Sequence, residues 1–185
     1  EAEYTEIRIE EVDSAGVSYR GEELDHIGSS HSVGGIVRTL CKGGWGMSVF
    51  NDLDDLEKRV HEACESAKLV ARDKSWFAPS EPVVDEIKAD MKKDFRDVPL
   101  SAKKEIAEEY NKIVLNYNDR IETSGVSYHD GFRTVRFANT EGTYIEDERP
   151  DAGIMISATA RDGDNVQRGF ESMAGKHGFQ IVEGL

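Results

Sequence analysis

The chain has 185 residues, 38% apolar and 32% charged, with 37 acidic against 23 basic side chains and a formal charge of −14. A chain of this length buries roughly 70% of its unfolded surface, so the fold needs neither a metal nor a disulfide as a staple. No apolar run approaches the ~20 residues of a membrane span, and no basic stripe offers phosphate contacts, so the expectation is no membrane and no nucleic-acid partner.

The first segment alternates Thr5, Ile7 and Ile9 with Glu6, Arg8 and Glu10, the period of a half-buried strand rather than of a secretory leader. The chain opens on Glu1 instead of Met, which reads as a trimmed chain or a fragment. Short strands are expected around a tight turn at Arg20-Gly21-Glu22. Two further strands, about Val33 to Cys41 and Trp45 to Phe50, are expected to meet at Gly43-Gly44, where a glycine pair takes positive φ without steric cost. Gly34 and Gly35 interrupt the first of these and imply a bulge or a close backbone approach.

Residues 51–72 read as a helix capped by Asn51 or Asp52, with Leu53, Leu56, Val60, Ala63, Ala67 and Val70 on one stripe. After Ser75 the segment WFAPSEPV reads as a connector. Ser80 or Glu81 before Pro82 then opens a second helix with Val83, Val84, Ile87, Met91 and Phe95 on its apolar side. Ser101 caps a third helix with Ile106, Tyr110, Ile113 and Tyr117 buried. Strands return from Arg120, with a hairpin turn at Asn139-Thr140-Glu141-Gly142. The expected fold class is α+β, with antiparallel strands in two groups separated by about three helices. The expected segments are 1–75, strands, hairpin and helix, and 76–185, helices then strands.

Chemistry is sparse. VHEACES (60–66) carries His61 and Glu62, but the second ligand of a zinc-peptidase HExxH helix is Glu65 here, and in the longer HExxxH spacing it is Ser66. The row Glu57, His61, Glu65 with Lys68 nearby reads as surface charge pairing. Gly43-Gly44-Trp45-Gly46 lacks the GK[ST] of a phosphate loop and leads into a strand, so it reads as a hairpin, with Trp45 packing as core. Cys41 and Cys64 read as one buried thiol per element in a reducing cytoplasm. Catalytic residues: none; metal ligands: none.

The order of segments is more telling. GGIVRTLCKGGWGMSVFNDLDDL, running straight into an Ala-rich helix, resembles the N-terminal part of the TldD/PmbA family, metallopeptidases once described as modulators of DNA gyrase. Gly34 and Arg38 match the family's Gly-x-x-x-Arg run, Gly43, Gly44, Trp45 and Gly46 its glycine-rich turn, and Asn51, Asp52 and Leu53 its helix start. VPLSAKKEIAEEYNKIV, RTVRFANTEGTYIEDE and RGFESMAG are similar to the family's middle region. The resemblance implies a zinc site of HExxxH type in a C-terminal region beyond Leu185, and no cofactor in this chain. It further implies a peptide substrate, a cytoplasmic homodimer or a heterodimer with a paralogue, and packing against that catalytic region. The alternative is a stand-alone acidic protein-interaction module.

Overall fold

The computed structural model describes residues 2–71, 75, 78 and 80–185. Among these described residues seven strands and two α-helices follow in order: β1 (Tyr4–Arg20), β2 (Glu23–Cys41), β3 (Gly44–Phe50), α1 (Leu56–Leu69), β4 (Val84–Ile87), α2 (Leu100–Leu115), β5 (Ile121–Asn139), β6 (Tyr144–Asp162) and β7 (Asn165–Gly175). The strands form one sheet with hydrogen-bonded neighbours in the order β3-β2-β1-β5-β6-β4, and β7 pairs with β6. β2/β3 and β6/β7 are antiparallel, whereas β4/β6 is parallel.

The expected fold class is therefore corrected. Strands from before and after the helices share one sheet, with β1 beside β5, and only two α-helices occur among the described residues. The expected second helix is instead the short edge strand β4, followed later by a 3-10 turn at Phe95–Asp97. Five apolar residues spread over four turns are a weak helical signal. The β-branched Val84 and Ile87 fit a pleated edge, and register with Tyr144–Asp147 of β6 decides the outcome. The short strands expected around the turns merge into runs of 17 to 19 residues, because pairing with neighbours carries polar and glycine-containing stretches that lack an apolar period. The connector residues Trp76, Phe77 and Pro79, and Arg72 at the expected helix end, lie outside the described residues.

The chain forms two compact units, each assembled from separate segments. The first comprises Glu1–Val12, His31–Lys88 and Arg133–Glu148. The second comprises Asp13–Ser30, Ala89–Phe132 and Arg149–Leu185.

In the first unit, the β2–β3 hairpin turns on Lys42 (φ 51°) and Gly43 (φ 75°), one residue earlier than expected; Gly44 already pairs with Cys41. Positive φ at both central residues matches the twist of the flanking strands. Gly44, Gly46, Ser48 and Phe50 are buried on one face of β3, and α1 packs there through Ala63 and Ala67. Val37, Phe50 and Ala63 form the core, with Ile7, Ile9, Leu56 and Val60 against it. α1 starts later than the sequence suggests. Asp55 (φ 55°) sits at its N-cap, Asp52 accepts from the Asp54 amide at 3.1 Å, and Leu53 is 49% exposed. The left-handed Asp55 detaches 51–54 from the helix, so neither Asn51 nor Asp52 caps it, and Leu53 leaves the stripe. Val70, at the C-cap, is also exposed.

In the second unit, α2 covers a core of large side chains: Tyr19, Tyr128, Phe132 and Ile154 from the strands, with Phe95, Phe179 and Val182. Its buried face is Lys103, Ala107, Tyr110 and Asn111; of the expected row Tyr110 is buried and Ile106 packs against the core, whereas Ile113 and Tyr117 are 55% and 82% exposed. The N-cap is Pro99 rather than Ser101. Polar partners fix that rotation. Asn111 donates to the Gly21 carbonyl at 2.7 Å and accepts from Ser124 at 2.6 Å, and Tyr110 donates to the Val182 carbonyl at 2.8 Å. The expected turn at Gly21 (φ 58°) is present here, and the one at 139–142 is present in the first unit, where the Asn139 side chain accepts from the Glu141 and Thr143 amides, both at 3.0 Å.

Candidate functional site: a glycine-lined hairpin and open strand faces

The motif residues divide by task. A Cβ on Gly35 would lie 2.4 Å from the Arg8 carbonyl oxygen and from the Phe50 ring, and one on Gly34 would lie 3.2 Å from the Phe50 carbonyl. The close backbone approach inferred from the sequence is thus present, and a groove of about 450 Å³ is lined by Arg8, Glu10, Val12 and residues 32–36. Gly44 and Gly46 serve α1: a Cβ there would meet the Ala67 carbonyl oxygen at 2.4 Å and the Ala63 carbonyl oxygen at 2.0 Å. On the opposite face of β3, Trp45 is half-buried, edge-on to Tyr4 (5.9 Å between centroids) and beneath the Arg38 guanidinium at 4.8 Å. Arg38 also pairs with Glu6 at 2.8 Å. Asn51, Asp52 and Leu53 lie apart, exposed ahead of α1.

The helix carrying VHEACES does not fit a zinc site. His61 and Glu65 are exposed, and Glu65 is engaged by Lys68 at 2.7 Å. Glu62, beside this exposed row, is half-buried. It accepts from Ser48 at 2.8 Å and Arg59 at 3.1 Å, and these bonds, the Ser48 one first, hold its carboxyl below the usual range. A low-pKa carboxylate already committed to two donors is poorly placed as a base. Among the described residues no group of three or more His, Cys, Asp and Glu is placed to hold a metal ion.

Several faces are open. Met47 and Val49 project beside Trp45 on the edge strand β3, 60% and 65% exposed. In the second unit β7 is exposed on both faces, with Phe170 at 75%. A groove of about 510 Å³ there is lined by the hydroxyl-bearing Ser18, Thr123, Ser127, Ser157 and Thr159 together with Arg168.

Two constellations escaped sequence reasoning. Lys103 and Asp130, each about 5% exposed, pair at 2.5 Å, and the Tyr128 hydroxyl donates to the same carboxylate oxygen. Burial, then that carboxylate, pushes the Tyr128 hydroxyl far above its ordinary value. Lys103 stands four and seven residues before Ala107 and Tyr110, so the helical period contained a signal for it. The second constellation is Cys41 and Cys64, whose sulfurs lie 2.7 Å apart between β2 and α1. Burial first, and the neighbouring thiol second, raise Cys41 to about 11. Twenty-three residues separate the pair, and no local pattern links them.

Comparison with known proteins decides the family. Residues 5–67 match PmbA/TldA metallopeptidase domain 1, and residues 93–185 match the PmbA/TldA metallopeptidase central domain. The chain belongs to the PmbA/TldD metallopeptidase family. A metalloprotease of Synechocystis sp. is 33% identical over the whole chain, and one of Methanocaldococcus jannaschii is 27% identical over 98% of it. The chain spans about 40% of these relatives' lengths, 40% and 41% respectively. TldE from Thermococcus kodakarensis shares the fold with a TM-score of 0.80 at 16% identity, over 98% of this chain and 43% of that one. A Thermotoga maritima protein described as a modulator of a DNA gyrase does so at 0.75 and 19%, over 94% and 40%. No helix among the described residues is long and apolar enough to cross a membrane.

Proposed function

We propose that this chain is the non-catalytic N-terminal part of a TldD/PmbA-like zinc metallopeptidase acting on peptides or unfolded polypeptides. The observation that carries the reading is the match to both the first and the central domains of a metallopeptidase family, over about 40% of the relatives' length. Residues 1–75 and 76–185 form its two segments, and the zinc belongs to a C-terminal region. The parent protein works in the cytoplasm as a homodimer or as a heterodimer with a paralogue.

The motif glycines support a scaffold role, because each is explained by a turn or by backbone packing rather than by contact with a reacting group. The open faces of β3 and β7 and the hydroxyl-lined groove suit packing against the catalytic region or binding of an extended peptide. Main-chain and hydroxyl hydrogen bonds tolerate many peptide sequences. The test is the coding sequence downstream of Leu185 together with peptidase assays. The reading expects an open frame reaching a His-Glu zinc helix, and zinc-dependent hydrolysis by the longer protein. Hydrolysis by the 185-residue chain, abolished by His61→Ala, refutes it.

A further inference from the structure

We propose that Cys41 and Cys64 form a redox-modification site that closes to an intramolecular disulfide when it meets a disulfide oxidant of the glutathione class. The inference goes beyond the scaffold role and does not rest on it. Cys41 ends β2, fully buried, and Cys64 lies half-buried on α1. Their sulfurs are 2.7 Å apart, so the two side chains already meet the first requirement of a bridge, that no backbone shift be needed to bring them together.

A second feature builds the approach. Cys41 pairs across the hairpin with Gly44, and a Cβ at Gly44 would meet the α1 backbone at Ala67, Val70 and Ala71. The missing side chain is what lets the helix descend onto the strand end, bringing Cys64 over Cys41. With an ordinary residue at Gly44 the helix would stand off and the thiols would separate.

The chemistry balances with oxidised glutathione as electron acceptor. Cys64, the thiol nearer solvent, attacks one glutathione sulfur as thiolate; the S–S bond of glutathione breaks and one glutathione leaves. Cys41 then attacks the Cys64 sulfur of the mixed disulfide, forming the Cys41–Cys64 bond and expelling the second glutathione. The two protein thiols give up two electrons and two protons, and the two released glutathione thiols take both. Lys68, one turn beyond Cys64 on α1, places a cation near the pair, although Glu65 shares it. The product ties α1 to the hairpin that carries the glycine-rich motif.

The test titrates the full chain with reduced and oxidised glutathione at fixed total concentration, quenches with an alkylating agent, and reads intact mass and digest peptides. The expected result is paired loss of both alkylatable thiols, a cross-linked peptide joining the Cys41 and Cys64 segments, and a melting temperature higher by about 5–10 °C that reductant reverses. In Cys41→Ser, or Cys41→Ala if serine is not tolerated in the buried position, one glutathione stays on Cys64 and no cross-link forms. Thiols that remain alkylatable at every ratio, a glutathione adduct persisting on the unaltered chain, or disulfides only between chains would each overturn the proposal.

Discussion

The two compact units bury their helices by opposite means. Beneath α1 the sheet offers almost no side-chain volume: Gly44 and Gly46 meet Ala63 and Ala67, and the core is Val37, Phe50 and Ala63. Beneath α2 the space is filled by Tyr128, Phe132, Phe95, Ile154 and Tyr110, and an ion pair with a tyrosine hydroxyl is enclosed among them. The first arrangement cannot accept added volume; the second cannot lose volume or have its charges left unpaired. Substitutions at the two helices therefore fail for different reasons, and the contrast can be broken experimentally.

The largest effect belongs to the second unit. Asp130→Ala leaves the Lys103 ammonium and the Tyr128 hydroxyl without their shared acceptor. A loss of about 3–5 kcal/mol is expected in urea unfolding. Combining it with Lys103→Met removes the stranded charge and should recover part of that loss; an additive double variant would show that the two residues do not act as a pair. Next comes Gly46→Ala, where a single methyl meets helix backbone at 2.0 Å. The expected cost is about 3 kcal/mol, near the upper end for overpacking, because backbone rather than a flexible side chain must move. If Gly46→Ala costs no more than an exposed substitution, the account of α1 is wrong.

Asn111→Ala should cost about 1–2 kcal/mol, since it removes the bonds to the Gly21 carbonyl and the Ser124 hydroxyl and leaves those two only each other, at 3.4 Å. The smallest effect is electrostatic. Lys112 and Lys104 hold Glu108 at about 2, below its ordinary 4.5. Because the folded value is the lower one, its contribution is complete above about pH 4.5 and disappears as pH falls through about 2. The group is exposed to solvent, so added salt should bring its titration midpoint, followed by NMR, back toward the ordinary value.

Much of the first unit was legible because its signals are local. Thr5 to Glu10 alternate, Gly34 and Gly35 announce a close backbone approach, and Ala63 and Ala67 fall on the helical stripe. What failed there was punctuation: a left-handed Asp55 starts the helix later than any capping pattern suggests. The helical pattern of 83–95 is overridden because Val84 to Ile87 take their structure from β6, some sixty residues away in sequence. α2 and its buried Tyr110 are legible in the sequence, but the rest of its face is not: the helical period puts Lys103 on the buried row without naming a partner for it or for Asn111 on other elements. Of the candidate site, the glycines could be placed from sequence, whereas the Cys41–Cys64 approach is a product of tertiary packing alone.

The central claim, that this chain supports a metallopeptidase without itself performing hydrolysis, is tested most directly by metal stoichiometry measured alongside cleavage of an unfolded peptide. Purified chain dialysed against zinc should retain no tightly held equivalent and should leave the peptide intact. One zinc retained per chain, with cleavage that disappears in His61→Ala while the fold survives, would contradict it.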